Sequence, residues 1–313
     1  MTRETRPPLL VVVGPTGSGK SALALEIAQR RPAEIVSADA FAVYRGLDIG
    51  TAKPPADARA RVPHHLIDVA DPNDAYSAGR WAVQARRIAE DVARRGKLPI
   101  VVGGSGFYIA AMLDGLPAGE ARDLSLRAAL AAWGRGREKT AHRFLAVNDP
   151  ASAERIDPAN LRYTLRALEI LLVTGRRASQ RPAASDRWAE RFNLRWIGLA
   201  PDRETLYARI AKRVRRMLNE GWDDEVRRLL GQGVLLGSHA FQAIGYREVA
   251  EWVLGRAGRP ETEEKIVAAT RQFARRQRSW FARERRVLWM KPEGAIAEAL
   301  REPGTAHETE NAE

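Results

Sequence analysis

Gly14-Pro15-Thr16-Gly17-Ser18-Gly19-Lys20-Ser21 satisfies the spacing G-x-x-x-x-G-K-[ST], and those residue types dictate a chemistry. The glycines let consecutive backbone N–H groups turn inward around phosphate oxygens. Lys20 adds a point charge, and the Ser21 hydroxyl is placed to sit on a magnesium ion. The apolar run at 9–13 suits a strand buried on both faces of a parallel sheet. Ala22, Leu23, Leu25, Ile27 and Ala28 then continue as a helix whose positive N-terminal end faces the same anion. The owner of the phosphate stays open at this point. A kinase consuming ATP and an enzyme gripping a pyrophosphate leaving group both need such a loop.

The carboxylates narrow the choice. A P-loop kinase usually ends an apolar strand in an aspartate that holds magnesium, and adds a base for the acceptor hydroxyl. The strand at 99–102 ends instead in Gly103-Gly104-Ser105-Gly106, and the acid at a strand end near the loop is Asp39, closing the run 34–39. Either one carboxylate does the work of two, or the chemistry is different.

Around these residues the chain alternates strand and helix: 9–13, the helix after the P-loop, 34–39, a loop-rich stretch at 45–75, a helix at 81–95 and a strand at 98–102. Short turns between them imply a parallel sheet with right-handed crossovers. From 118 to 198 helical patterns dominate and arginine is dense, and 195–199 returns to strand-like sequence. The expected fold is therefore α/β, a P-loop-type parallel sheet core flanked by helices (1–117 and 199–300) with an inserted all-helical domain (118–198). Residues 287–290 are expected to close the sheet edge. Residues 302–313 carry four glutamates and no lysine or arginine, a disordered acidic tail.

Composition fits a polyanionic partner: 313 residues carry a net charge of +12. The absence of cysteine excludes disulfides and thiolate metal sites. No stretch reads as a signal peptide or a membrane span, so a cytoplasmic protein acting away from membranes is expected. Seven arginines against one glutamate lie between 271 and 286, interleaved with Phe273, Trp280 and Phe281, a basic-plus-aromatic texture suited to single-stranded nucleic acid.

Several further stretches carry a resemblance. "DAFAVYRGLDIGTAKP" (39–54), "VPHHLIDVADPNDAYS" (62–77), "PIVVGGSGFYI" (99–109), "RIDPANLRYTLRALEILLVTG" (155–175), "QAIGYRE" (242–248) and "RRQRSWF" (275–281) occur in the order seen in the tRNA dimethylallyltransferases. The chain resembles that family, in its bacterial form, from about residue 9 to 290. The resemblance implies that the P-loop, residues 14–21, holds the pyrophosphate of dimethylallyl pyrophosphate. The acceptor is then N6 of the adenosine immediately 3′ of the anticodon, reached after that base is extruded from its stack. Asp39 falls on the family's general base and Arg213 on its catalytic arginine, while Ser105 stands where a threonine is usual. Magnesium is the expected cofactor, at Ser21. The implied tRNA contacts are Asp39, Ala40, Phe41, Ala42, Ser105, Arg127, Arg162, Arg166, Gln242, Gly245, Tyr246, Arg247, Arg276, Gln277, Arg278 and Arg283, made to an anticodon stem-loop by a monomer.

Two departures stand out: Ala40 and Ala42 occupy positions where serine and glutamine are common. His64-His65 invites a metal reading, but adjacent histidines point apart and the family treats them as structural. A prenyltransferase acting on free adenine nucleotides needs neither the insertion nor the arginine-rich helix. A nucleotide kinase or ATP-gated RNA-binding protein lacks the second carboxylate here.

Overall fold

The computed structural model describes residues 6–116, 123–180 and 187–301. The acidic tail at 302–313 lies outside them. The chain divides into two compact units, one made of Met1–Leu113 with Arg187–Glu313 and the other of Asp114–Asp186.

The first unit is built on six strands, all parallel: β1 (Pro8–Val13), β2 (Ala33–Ala38), β3 (His64–His65), β4 (Leu98–Gly103), β5 (Asn193–Leu199) and β6 (Val287–Met290). Their spatial order is β3-β2-β4-β1-β5-β6. Leu9 to Val13 are all at most 2 % exposed, as an apolar strand covered on both faces must be. One face carries α1 (Lys20–Arg30) and α13 (Pro292–Leu300), whose Leu23, Ile27, Ala295 and Ala299 pack with Leu10, Val12, Ile100 and Ile197. After the short α2 (Ala56–Arg61), α3 (Ala78–Arg94) starts where the Ser77 hydroxyl accepts from the Arg80 amide at 3.2 Å; α4 (Gly106–Leu113) pairs with it. The C-terminal helices are α9 (Arg203–Asn219), α10 (Trp222–Gly231), α11 (Tyr246–Val253) and α12 (Arg259–Phe281).

Register fixes the site. Val13 pairs with Gly103, Gly103 with Ala38, and Val13 with Gly198. The carboxyl ends of four adjacent strands therefore stop in one row, and the segments leaving them converge above the sheet, where open α/β folds bind ligands. Gly103 cannot be larger: a Cβ there would stand 2.1 Å from the Ala38 carbonyl oxygen.

The second unit holds α5 (Leu124–Gly134), α6 (Glu138–Asn148), α7 (Pro150–Arg155) and α8 (Leu161–Thr174) around Leu145, Ala153, Ala167 and Leu168. Asp149, 1 % exposed, caps α7 through the Ser152 amide and takes two hydrogen bonds from Ser179. Burial pushes its pKa up, yet these bonds to the charged form win and hold it low. The strand-like sequence at 195–199 is the greater part of β5 (Asn193–Leu199), which begins two residues earlier. β5 starts at Asn193, inside the stretch assigned to the helical insertion. The exposed Asn193 gives no apolar signal, and Arg195 is held by the Glu298 carboxylate at 2.9 Å.

Candidate active site

The loop between β1 and α1 is shaped by what cannot fit. At Gly14 a Cβ would lie 2.8 Å from Ser18 Oγ and 2.9 Å from the Leu199 carbonyl oxygen. Gly19, at φ +95°, caps α1 in the left-handed region, where a side chain would be strained. No acid stands in the first turn of α1, so its N-terminal partial charge is left for a ligand. Lys20 Nζ rests 3.3 Å from the Pro15 carbonyl oxygen, and Ser21 is exposed one residue on. Thr16 departs from the expected phosphate-binding set, since its amide donates to Gln277 Oε1 at 2.8 Å.

Asp39 follows β2 directly. Its Oδ1 accepts from the amides of Phe41 at 2.8 Å and Ala42 at 3.1 Å, and Oδ2 has no hydrogen-bond partner among the described residues. One oxygen is thus anchored by the turn and the other is left for chemistry. Ser105 stitches this turn to β4: its Oγ accepts from the Ala40 amide at 3.2 Å and its own amide donates to the Ala38 carbonyl at 3.2 Å.

Arg213 arrives from α9, whose apolar stripe Leu206, Ile210, Val214 and Met217 is buried. Leu206 and Ile210 come within van der Waals reach of Gly17, so α9 packs directly against the P-loop. Arg213 is partly covered, whereas Arg209 and Arg216, about one turn away on either side along α9, are exposed. Lys20 is pushed down to about 8 by burial and then by Arg213, with Asp39 opposing. Arg213 is itself lowered by burial, opposed by Asp39 and reinforced by Arg216. Lys20, Arg213 and Asp39 therefore sense one another, yet neither cation forms an ion pair among the described residues. Two partly buried cations that form no ion pair among the described residues, beside the N-terminus of α1, can together hold an anion.

A second layer holds the loop that follows Asp39. Lys53, with a side chain 2 % exposed, donates to the Tyr44 carbonyl at 2.6 Å and to Asp48 and Asp68 at 2.7 and 2.5 Å. Glu225 of α10, 2 % exposed, accepts from the amides of Asp48, Ile49 and Gly50 at 2.9, 2.7 and 3.4 Å and from the Tyr246 hydroxyl at 2.6 Å. Trp222 sits so close to Gly50 and Gly245 that a Cβ on either would fall within 2.4 Å of the indole. Sequence reasoning missed Glu225, although an acid sharing a helix face with Trp222, Val226 and Leu229 was a signal. It also missed His239, whose ring stacks on Phe41 at 5.8 Å and 24° and whose Nδ1 lies 2.9 Å from the Tyr44 hydroxyl.

The expected tRNA contacts separate by exposure. Gln242, Arg247, Arg276, Arg278, Arg283 and, in the second unit, Arg162 are exposed. Tyr246 is fully buried with its hydroxyl spent on Glu225, Gly245 is buried against Trp222, and Ala42 is 5 % exposed. These three positions shape the fold and offer RNA no side chain. Gln277, 6 % exposed, is likewise turned inward. Along α12, Ala274, Gln277 and Phe281 form the buried face, while Arg275, Arg276 and Arg278 face solvent. Arg127 and Arg166 both pair with the buried carboxylate of Glu169, at 2.9 and 2.8 Å, which offsets part of their charge. The two histidines point to different partners, His65 to Glu34 at 2.8 Å and His64 to the Val62 carbonyl at 2.8 Å. No group of three or more metal-ligating side chains occurs among the described residues.

The chain is similar to known proteins over most of its length. The family described as IPP transferase matches residues 42–285, and isopentenyl transferase matches residues 7–62. The chain is 43 % identical over 302 residues to a tRNA dimethylallyltransferase of Geobacter metallireducens, covering 96 % of this chain and 97 % of the relative. To that of Solibacter usitatus it is 42 % identical, covering 93 % and 95 %. The crystal structure of a tRNA isopentenylpyrophosphate transferase from Bacillus halodurans superimposes with a TM-score of 0.68 at 35 % identity, over 94 % of each chain. A eukaryotic dimethylallyltransferase seen acting on tRNA superimposes with a TM-score of 0.76 at 25 % identity, over 94 % of this chain and 75 % of its own.

Proposed function

The chain belongs to the IPP transferase family, and from that premise we propose that it prenylates tRNA. The dimethylallyl group moves from dimethylallyl pyrophosphate to N6 of the adenosine immediately 3′ of the anticodon, releasing pyrophosphate. The single observation that carries this reading is the trio Lys20, Arg213 and Asp39: two unpaired cations at the P-loop beside one carboxylate with a free oxygen.

Each residue then has a step. The N6 lone pair attacks the allylic carbon bonded to the leaving oxygen. The carbon–oxygen bond breaks as the carbon–nitrogen bond forms, and pyrophosphate departs with the electron pair. N6 is a poor nucleophile because its lone pair is delocalised into the purine. Asp39 Oδ2 accepts its proton, an assistance worth about 10²–10⁴-fold. Lys20, Arg213 and the amides of residues 17–21 take the charge that develops on the leaving oxygen. The exposed Ser21 hydroxyl at the start of α1 is the residue that would hold a magnesium ion brought in with the donor. Such an ion would supply further positive charge to the leaving group.

The acceptor is held by exposed cations. Arg276, Arg278 and Arg283 with Gln242 and Arg247 supply phosphate and edge contacts to a single-stranded loop. Incubation with labelled dimethylallyl pyrophosphate and, separately, an anticodon stem-loop, AMP or ATP tests the reading. Label should pass to the stem-loop alone. Transfer to AMP, or ATP hydrolysis in step with RNA, would replace it.

A further inference from the structure

The residue that departs most from its expected role is Gln277. It belongs to the arginine-rich helix α12, yet its side chain faces away from solvent and contacts two backbone segments of the site. Its Oε1 accepts from the Thr16 amide at 2.8 Å, inside the P-loop, and its Nε2 donates to the Gly104 carbonyl at 3.1 Å, in the turn after β4. The fit is close: a Cβ on Gly104 would lie 2.0 Å from Gln277 Nε2. One turn further along α12, Trp280 covers Gly106, where a Cβ would stand 2.2 Å from the indole. The two glycines that flank Ser105 are thus flush against α12.

These contacts form a chain with the two halves of the reaction at its ends. Thr16 lies in the P-loop, immediately before the amides of residues 17–21 that are proposed to cradle the pyrophosphate. Gly104 precedes Ser105, whose hydroxyl holds the Ala40 amide beside Asp39. The strands beneath are already paired, β1 with β4 and β4 with β2, so the sheet fixes the spacing at their ends. Above the sheet, both loops have left the ladder, and a single amide side chain ties them together.

We infer that Gln277 is a positioning residue for the reaction, locking the P-loop to the turn that holds Asp39 and so setting the register between the leaving group and the base. This rests on the function proposed above. Gln277 touches neither substrate. It acts through the backbone on the distance between an allylic carbon held by one loop and a proton acceptor held by the other. Reactions of this kind tolerate little misplacement, with losses of about 10²-fold for shifts near 1 Å.

Two substitutions reach the tie from opposite sides. Gln277→Met keeps length and shape and removes both hydrogen bonds. Gly104→Ala leaves Gln277 in place but displaces its flexible end, at a position without positive φ. Both should lower kcat by about 10–100-fold, with affinity for inorganic pyrophosphate and for the stem-loop RNA within about 3-fold of wild type. Removing one tie twice should not count twice, so the double variant should lose no more than the worse single. Turnover is referred to folded enzyme, measured by the near-ultraviolet circular dichroism amplitude. A variant with normal turnover per folded molecule overturns the inference, as does a loss confined to RNA affinity or to pyrophosphate affinity. Should Gln277→Met not fold, Gly104→Ala carries the same test alone. Wild-type enzyme that fails to prenylate the stem-loop would refute the proposed function itself. Wild-type activity with unaffected variants would refute only the role of Gln277.

Discussion

Asp39→Asn separates the carboxylate's structural work from its chemical work. Asparagine presents a carbonyl oxygen where Oδ1 now accepts from the amides of Phe41 and Ala42 at 2.8 and 3.1 Å, so the turn is kept. The unpartnered Oδ2 becomes an amide nitrogen that cannot take a proton from N6. General-base assistance lost in this way corresponds to a fall in kcat of about 10²–10⁴-fold, or roughly 3–5 kcal/mol of transition-state stabilisation. The donor should behave oppositely. Asp39 is the negative charge opposing the depression of both Lys20 and Arg213, so it also weakens the field that attracts a pyrophosphate. Neutralising it should leave donor affinity unchanged or tighter. The assay is single-turnover transfer of labelled dimethylallyl groups to a stem-loop RNA, with pyrophosphate affinity measured by competition. Near-normal turnover refutes Asp39 as the base. Donor affinity falling in parallel with turnover refutes the charge argument.

Lys20→Ala removes one of two unpaired cations at the leaving group and should lower kcat by about 10²–10³-fold while weakening pyrophosphate competition, read in the same transfer assay. Changing Arg276, Arg278 and Arg283 together to glutamine should weaken stem-loop binding and flatten its log–log salt dependence by about 2–3 units, with donor affinity unchanged; fluorescence anisotropy against salt checks this. Glu34, 2 % exposed, is held well below its ordinary value of 4.5 by the Arg95 guanidinium, then by Lys97 and His65, against the effect of burial. A carboxylate depressed in the folded state contributes stability that is full above its unfolded pKa and is lost as pH falls below it toward the folded value. Wild type should therefore lose stability steeply below about pH 4.5, and Glu34→Gln, weaker at neutral pH, should show a shallower decline in urea unfolding at stepped pH.

The parts of this site readable in the sequence were those carried by local chemistry. The P-loop declares itself because glycine, lysine and serine at fixed spacing have few other uses. Buried strands such as 98–103 declare themselves as apolar runs bounded by turn residues. Asp39 was visible as an acid closing a strand. What stayed hidden depends on contacts between distant segments. Nothing near Gln277 signals that its amide faces Thr16, 261 residues away. In an arginine-rich stretch a polar residue reads as part of the solvent face, and only its spacing with Ala274 and Phe281 places it inside. Tyr246 was expected to contact tRNA only through the resemblance, and nothing in its local sequence signals that its hydroxyl is committed to Glu225. Only the first two residues of β5 were missed, because the exposed Asn193 carries no apolar signal.

The strand order dictates when, during synthesis, the site comes into being. β1 sits between β4 and β5 in the sheet, so its two neighbours emerge from the ribosome roughly 90 and 185 residues after it. The first 113 residues can pair β3, β2, β4 and β1, and they already contain the P-loop and Asp39. One side of β1 then stays an open edge until the entire second unit has been made. Arg213 follows β5, and Gln277 is added later still, when α12 leaves the exit tunnel. A nascent chain thus carries the phosphate loop and the base long before it carries the arginine or the glutamine tie. Catalytic competence is deferred to the last stage of translation, and an exposed edge of Leu9 to Val13 during the interval marks where a truncated product would aggregate.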